Sequence, residues 1–523
     1  MAAVSGTHPA LSRAAPYVLG PKLPPLSTLW VLNRRRALSA GFCLVVPLAL
    51  GFALGHPGPG SAAALGGGFS AVYGHSLPYR RRAWISAGVA LAIVGSIGVG
   101  GLTGGRPLLL VLVLGAVAAA ATAASAVWRI GPPGALPPVL VAGSASALGN
   151  APAVVGEHVA AAAGAAALAW LVVMLPWVWD PAGPERRAVQ AADDAVRQTE
   201  TGTAGSTRPG TTARAVRVAV AAVSVGSRRR PSLAPRLEAI EQRFFQALPP
   251  VPATGPQSVP EPAAPARSHV RRTPLWTSTA ARIGSGVALA GLVAVTVGLP
   301  SPYWAATSAV AVLLGTDARH TRARAFHRVT GTLLGTLIAG LVFAVQPPTA
   351  VTVLLVAALL VGVELVISHQ YVVAVSCLTP VSLLLVHLGA PDRPGTALIA
   401  ARLEETLIGI AVALAAGLLL SPRAGSRRLP AAVTTAAARA VAAASAPAGT
   451  PADRALQDTL VALNEVSTAA RAELFSAPGA DAWRARSRQV GDLGWGLLGA
   501  RARGDDDLAA TVARLIRTDL AQH

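Results

Sequence analysis

The sequence predicts an all-α, polytopic membrane protein with about twelve transmembrane helices. Hydrophobic residues make up 53% of its 523 residues and charged residues only 13%, whereas an average soluble domain carries roughly 25% charge. The apolar residues fall into blocks of about 17 to 24, the length that crosses a hydrocarbon core of about 30 Å. The arginines concentrate in alternate connections between these blocks, as the positive-inside rule requires.

The first membrane half is predicted over residues 38–180, after a disordered, proline-rich cytoplasmic N-terminus at 1–37. We expect no cleavable signal peptide, because the first apolar block starts only after Arg36. Trp170, Trp177 and Trp179 mark the last exit of this half, where interfacial aromatic residues are common. The predicted spans lie at about 38–55, 61–77, 84–104, 107–127, 133–150 and 156–179.

The composition becomes polar at 181–277, which we interpret as a cytoplasmic insert with a Pro-rich linker. Within it, PERRAVQAADDAVRQ and PRLEAIEQRFFQAL have the apolar spacing of amphipathic helices. The second membrane half is predicted over 278–422, and a cytoplasmic helical region over 423–523. The spans of the second half lie at about 278–299, 302–315, 327–345, 349–368, 370–388 and 398–421.

The two halves are predicted to be parallel six-helix repeats. GHSLPYRRRAWISAGVALAIVGSIGVG, which starts at Gly74, aligns with a small slip with GTDARHTRARAFHRVTGTLLGTLIAG, which starts at Gly315. Because each half has an even number of predicted spans, both halves enter the membrane in the same orientation about a pseudo-two-fold axis along the membrane normal. Both termini are therefore expected on the cytoplasmic side of the cell (inner or plasma) membrane.

The charge and cysteine content exclude several other classes of function. The net charge of +20 is explained by positive-inside topology, so we expect no nucleic-acid partner. Cys43 and Cys377 lie in apolar blocks, which leaves no disulfide framework and no zinc cluster. The soluble segments lack a phosphate-binding loop. We therefore predict neither an enzyme nor a cofactor, a metal or an ATP-driven pump.

Four motifs of the second half are distinctive, namely PYWAATSAVAVLL from Pro302, the arginine-rich turn running into RVTGTLLGTLIAG, YVVAVSCLTPVSLLL from Tyr371, and ARLEETLIGIAVALAAGLLLSP from Ala401. Together they resemble the fusaric acid resistance protein-like (FUSC) family of aromatic acid exporters. The resemblance is specific over about 278–422 and weaker over 38–180. It implies an inner-membrane efflux protein, coupled to protons, whose relatives export aromatic carboxylic acids and other toxic organic anions.

Arg402, Glu404 and Glu405 form the main candidate site, because charged residues within a span are costly and are functional candidates. Arg402 and Glu405 share a helix face. In one interpretation they neutralise each other near the outer interface. In the other, Glu404 or Glu405 carries the proton while Arg402 or Arg282 binds the anion; Arg282 also suits a simple boundary marker.

Three further groups of candidates each have a structural alternative. Glu364 suits a proton carrier, although snorkelling to the interface is the favoured interpretation. Glu157 and His158 suit a proton relay, but adjacent residues face different sides of a helix. Tyr303 and Trp304 suit stacking on an aromatic acid, with interfacial anchoring as the simpler interpretation.

Gly331 and Gly335 are predicted to allow close helix packing. The arginines at 319, 322, 324 and 328 are interpreted as topology anchors and lipid-headgroup contacts. Two other functions stay open, namely a passive anion channel and a membrane scaffold that acts through its cytoplasmic helices. The sequence also leaves open whether the protein is a homo-oligomer.

Overall fold

A computed structural model describes residues 24–201, 209–226, 232–248, 275–315, 318–420, 424–473 and 477–521, and all regular structure in these ranges is helical. A single 3-10 turn, Leu175–Trp177, follows α6. The helices are α1 (Leu26–Ala53), α2 (Pro57–Ser70), α3 (Tyr79–Leu102), α4 (Pro107–Val127), α5 (Leu136–Ala145), α6 (Pro152–Met174), α7 (Gly183–Glu200), α8 (Pro209–Gly226), α9 (Leu233–Gln246), α10 (Leu275–Thr296), α11 (Tyr303–Leu313), α12 (Ala318–Val345), α13 (Thr349–Val366), α14 (Tyr371–Gly389), α15 (Gly395–Leu420), α16 (Ala424–Ala444), α17 (Pro451–Ala472), α18 (Ala480–Arg503) and α19 (Asp506–Ala521).

The chain divides into two compact units. The first, which we call the membrane unit, comprises the described residues within 1–75, 81–178 and 272–420. The second unit comprises those within 76–80, 179–271 and 421–523. The second unit therefore combines the predicted insert with the predicted C-terminal helices, which lie far apart in the sequence.

Among the described residues, 8 helical segments are long and apolar enough to cross a membrane, and all belong to α1, α3, α4, α6, α10, α12, α13 and α14. Lipid offers no partners to backbone N–H and C=O groups, so spans of this kind satisfy them within the helix. The protein is thus a multi-pass membrane protein with an all-helical fold.

Three predicted spans correspond to short helices. The helices α2, α5 and α11 have 14, 10 and 11 residues, about 21, 15 and 17 Å at 1.5 Å per residue, less than the hydrocarbon core of about 30 Å. Every residue of α5 and of α11 is buried. Burial inside the protein therefore explains their apolar character, which the sequence alone could not distinguish from contact with lipid.

The first helix begins at Leu26, so residues 26–37 do not belong to a disordered N-terminus as predicted. Residues 1–23 lie outside the described part of the chain. Two contacts with α13 explain the earlier start. Asn33 Nδ2 donates to the carbonyl oxygen of Leu365 at 3.1 Å, and Arg36 pairs with Glu364.

Small residues allow the helices of the membrane unit to approach closely. On α4, a Cβ added at Gly115 would lie 2.8 Å from the backbone oxygen of Gly284 on α10. The helices α1 and α13 pack together in the same unit, as do α12 and α14. Close backbone approach of this kind is how helices associate in lipid, where no hydrophobic force drives them together.

The second unit has a hydrophobic core of its own. The helices α7, α8 and α9 pack with α16, α17, α18 and α19, and Phe244 and Trp495 meet edge to face with ring centroids 6.1 Å apart. Apolar residues recur on one face of α7 and α9, the spacing that predicts these helices from the sequence. Their polar faces carry ion pairs such as that of Arg454 with Glu241.

Candidate functional site

Two buried arginines and a buried indole define the candidate site of the membrane unit. Arg328 on α12 and Arg402 on α15 are each 1% exposed, and Trp304 on α11 is 0% exposed. The Cζ atom of Arg402 lies 4.1 Å from the centroid of the Trp304 ring, a distance at which the ring face attracts a cation. We call Arg328, Arg402, Trp304 and the adjacent Tyr371 the arginine–aromatic cluster.

The cluster has hydrogen-bond donors without acceptors. Among the described residues, Nε and Nη1 of both Arg328 and Arg402, Nε1 of Trp304 and the hydroxyl of Tyr371 have no partner. Arg402 is also within electrostatic reach of Arg328 and Tyr371. Since an unsatisfied buried donor costs about 1–3 kcal/mol and more when charged, this cluster suits an anion that accepts several hydrogen bonds.

Glu405 lies next to the cluster and is 0% exposed. Its Oε1 accepts a hydrogen bond from the backbone N–H of Ser301 at 2.7 Å, while Oε2 has no partner within the described chain. Glu405 therefore holds the loop that leads into α11 and positions Trp304. The neighbouring Glu404 is exposed, so α15 directs one carboxylate inward and the other outward.

The arrangement of Arg402 differs from the predicted pair with Glu405. Its guanidinium stacks on Trp304, with Nε and Nη1 unpartnered in the described residues. Tyr303 and Trp304 are likewise not interfacial anchors, because both are buried, at 2% and 0% exposure. Their rings are tilted against each other with centroids 4.5 Å apart.

Glu364 does not snorkel, which was the favoured interpretation. It is buried on α13, and its Oε2 lies 2.5 Å from Nε of Arg36 on α1. Tyr73 lies within electrostatic reach of both groups. This buried ion pair joins the first helix of one membrane half to a helix of the other.

The other candidates lie apart from the cluster contacts. Arg282 is half-buried on α10, and its Nη2 donates to the carbonyl oxygen of Leu313 at 3.4 Å. Glu157 is exposed, whereas His158 is buried. A Cβ added at Gly58 would lie 3.1 Å from Nε2 of His158, so this imidazole packs against the start of α2.

Gly331 and Gly335 lie at the contact between α12 and α14. A Cβ at Gly331 would lie 2.8 Å from the backbone oxygen of Val372, and one at Gly335 would lie 2.9 Å from that of Ser376. Both glycines thus face the neighbouring helix backbone directly.

Sequence reasoning missed Arg328 and Tyr371 as site residues. Arg328 was interpreted as a topology anchor, but it lies inside the protein. A signal for this existed, because Arg328, Gly331 and Gly335 follow one another at helical spacing and so share a face. The two glycines allow this face of α12 to pack against a partner helix, so an arginine on the same face points into the protein. The side chain of Arg319 lies outside the described part.

Taken together, the fold and the site define a polytopic, all-helical membrane protein with a buried arginine–aromatic cluster. Residues 289–416, which contain the whole cluster, match the family described as fusaric acid resistance protein-like. The resemblance noted in the sequence is confirmed over this segment.

The chain is 31% identical over 141 residues to the uncharacterized membrane protein YvaC of Bacillus subtilis (strain 168). The aligned segment is 27% of this chain and spans 22% of the length of that relative. No solved structure matches the chain.

Proposed function

We propose that the protein exports small organic anions, in particular aromatic carboxylates, from the cell by proton-coupled transport. The observation that carries this proposal is the pair of buried arginines with unpartnered N–H groups beside a buried indole. A carboxylate accepts paired hydrogen bonds from a guanidinium, and an aromatic ring attached to it would stack on Trp304 or Tyr371. On this proposal the protein is a transporter without catalytic chemistry or a cofactor.

The charges of the site favour one monovalent anion. Arg328 and Arg402 contribute two positive charges and Glu405 one negative charge, so a single carboxylate brings the local sum to zero. Glu405 is the buried carboxyl next to these arginines, so the net charge of the site depends on whether Glu405 holds a proton. We assign Glu405 as the proton carrier for this reason.

The proposed architecture retains twelve helices in two parallel six-helix repeats within the cell membrane, with both termini cytoplasmic. The packing of the membrane unit supports two repeats. If each helix of α1–α6 is replaced by its counterpart in α10–α15, and the reverse, a pair of helices in contact becomes another pair that is also in contact. The contact of α1 with α13 becomes that of α10 with α4, and the contact of α2 with α14 becomes that of α11 with α5. The buried short helices α2 and α11 occupy equivalent places in this exchange.

A difference between the proposed repeats supports an anion site in the second half. Aligning RRRAW at 80–84 with RARAF at 322–326 places Ser86 opposite Arg328. In the first half, Arg82 is buried and donates to the carbonyl oxygens of His75 at 2.6 Å and Val173 at 3.4 Å. The guanidinium of Arg82 therefore donates to backbone carbonyl groups, whereas Nε and Nη1 of Arg328 have no hydrogen-bond partner among the described residues.

The proposal is tested by transport into vesicles. The purified protein is reconstituted into liposomes, and uptake of a panel of radiolabelled aromatic acids is measured with and without an imposed pH gradient. We expect Arg328→Gln and Arg402→Gln each to abolish gradient-driven uptake. The matched control is Arg106→Gln, since Arg106 is exposed at the start of α4. Normal uptake by both site variants would refute the proposal.

A passive anion channel would use the same positively charged cluster. The effect of Glu405→Gln distinguishes such a channel from a proton-coupled exporter. In a proton-coupled exporter, Glu405→Gln removes uphill transport but leaves downhill exchange of the anion. In a channel, Glu405→Gln leaves all flux intact. Glu404→Gln is the control, because Glu404 is exposed on the same helix turn. Collapse of the gradient by a protonophore gives the same distinction in the unmodified protein.

The scaffold alternative predicts a different dependence on the second unit. That unit has its own hydrophobic core, and a scaffold would act through it. Deletion of 424–523 would then remove the cellular phenotype while Arg402→Gln would not. On our proposal, Arg402→Gln does remove the phenotype.

A further inference from the structure

We propose that an apolar groove formed by α3, α4 and the segment that leads into α5 binds one anionic phospholipid, with the acyl chain in the groove and the phosphate at an arginine rim. The groove belongs to the membrane unit and shares no residue with the arginine–aromatic cluster. The inference therefore does not depend on the proposed transport function.

The groove has the size and the lining of a site for a hydrocarbon chain. Its volume is about 320 Å³, at the lower end of the roughly 300–1,000 Å³ of ligand pockets. Its walls include Gly88 and Ala92 of α3 and Ala121 of α4. The hydroxyl of Tyr73 at the inner wall donates to the carbonyl oxygen of Gly134 at 2.8 Å, so it has no need of a polar ligand.

Two exposed tryptophans form the mouth of the groove. Trp84 is 78% and Trp128 is 59% exposed, and both line the groove. Indole rings favour the headgroup level of a bilayer, where one edge is wet and the face is apolar. Their position indicates that the mouth lies at the interface and that the groove runs from it toward the hydrocarbon region.

Arginines at this mouth supply the charge preference. Nη2 of Arg81 donates to the carbonyl oxygen of Trp128 at 2.8 Å, which fixes its guanidinium at the rim. Arg129 follows Trp128 directly and is exposed, and no carboxylate lines the groove in the described part of the chain. Arginine forks bind phosphate oxygens well, and anionic lipids are enriched on the leaflet that positive-inside arginines face.

The occupant expected is a lipid and not the aromatic acid of the proposed transport site. The groove is lined by residues of α3 and α4, and both helices also carry exposed leucines, Leu91 and Leu112 at 75% and 64%. Its interior has no unpartnered charged donor, unlike the cluster around Arg402. An acyl chain requires no such donor, whereas a carboxylate does.

The test fills the groove without disturbing the helix. A Cβ at Gly88 meets no heavy atom within 4 Å, and the same is true of Gly95 on the same helix, which does not line the groove. Gly88→Leu therefore occupies the groove, while Gly95→Leu is the matched control, and both changes favour the helix. Binding of phosphatidylglycerol to the full-length protein in detergent is measured by native mass spectrometry.

We expect the unmodified protein and Gly95→Leu to retain one phosphatidylglycerol, and Gly88→Leu to bind it at least about tenfold more weakly. Unchanged binding by Gly88→Leu would overturn the proposal. Phosphatidylcholine and glycerol phosphate are the comparison ligands. Equal binding of phosphatidylcholine would overturn the charge preference, and retention of glycerol phosphate alone would overturn the role of the acyl chain.

A second variant tests the rim separately. Arg129 has φ +50°, a conformation in which glycine is more stable than other residues, so Arg129→Gly removes the charge without strain. We expect it to reduce the preference for phosphatidylglycerol over phosphatidylcholine and to leave thermal stability unchanged or higher. If an aromatic carboxylate displaced the lipid in competition, the groove would belong to the substrate, contrary to the proposal.

Discussion

At the scale of single residues, the arginine–aromatic cluster is expensive to maintain without a ligand. Two guanidinium groups within electrostatic reach repel each other, and removal of a charge from water is costly unless it is paired. The face of Trp304 offsets part of this cost for Arg402. A protein that keeps such a pair gains most when an anion enters, which is the physical basis for the proposed specificity toward carboxylates.

Arg402→Lys separates charge from geometry at this site. Lysine retains the positive charge but loses the planar fork and the stacking on Trp304. We expect transport to persist with KM raised by roughly 10- to 100-fold, corresponding to the loss of about 1.5–3 kcal/mol for a charge-assisted hydrogen bond. Vesicle uptake against substrate concentration measures this. An unchanged KM would mean that only the charge matters.

Asp193 in the second unit makes stability depend on pH. Burial alone would raise the pKa of its carboxyl, but hydrogen bonds from Arg197, Arg243 and Arg236 outweigh burial and lower the pKa. The pair of Arg243 with Glu200 lowers the pKa of Glu200 as well. Because the pKa is lowered in the folded state, the ionised carboxyl stabilises the fold at pH values above the ordinary aspartate pKa of about 3.9. This stabilisation is lost as the pH falls through the lowered pKa.

We therefore expect hydrogen exchange in α7 and α9 of the full-length protein to accelerate as pH falls below about 5, after correction for intrinsic rates. Asp193→Asn should reduce this dependence and cost about 2 kcal/mol at neutral pH. Asp194→Asn is the control, because Asp194 is exposed and pairs with the amide of Gln190. Equal effects of the two substitutions would contradict the assignment.

At the scale of helices, the contact between α12 and α14 fixes the position of the site. Gly331 and Gly335 allow α12 to lie against the backbone of α14, and Arg328 is one turn before Gly331 on the same face. The close contact therefore positions Arg328 near the start of α14, where Tyr371 lies. Helix packing and ligand geometry depend on the same face of α12.

Gly335→Leu should disrupt this contact. The added side chain would meet Thr379 Cβ at 2.6 Å and the backbone oxygen of Ser376 at 2.9 Å, and overpacking of this kind costs about 1–3 kcal/mol. Gly340→Leu on the same helix is the control, since its nearest neighbour is the flexible end of Ile399 at 3.5 Å. Thermal unfolding in detergent compares the two variants, and equal melting temperatures would contradict this account of the packing.

At the scale of the whole molecule, the arginine distribution predicts one topology. The second unit is polar at its surface, carries ion pairs and is predicted to be cytoplasmic. The turn around Arg106, which connects α3 to α4, is predicted to face the opposite side. Both expectations follow from charge placement and can be checked with the same reagent.

Cysteines placed at Arg106 and at Ala191 should report opposite compartments. Both positions are exposed, and the native Cys43 and Cys377 are first replaced by alanine. A membrane-impermeant maleimide added to intact spheroplasts should label the cysteine at 106, and that at 191 only after permeabilisation. Labelling of both from the same side would invalidate this predicted topology.

Much of the fold could be predicted from sequence, because hydropathy and helical periodicity are local properties. The long helices α4, α6 and α13 begin and end near the predicted positions, and the amphipathic helices α7 and α9 follow their apolar spacing. The lengths of α5 and α11 could not be predicted, since a helix buried in protein and a helix exposed to lipid have the same apolar composition.

The sequence by itself determined the class of protein, the helical segments and their charges, because lipid leaves a chain of this composition few alternatives. Tertiary structure decided which charges matter. It buried Arg328, turned Glu405 inward and Glu404 outward, and paired Glu364 with Arg36. The physical reason is that burial and pairing depend on neighbours from distant parts of the chain, and spacing along one helix does not specify them.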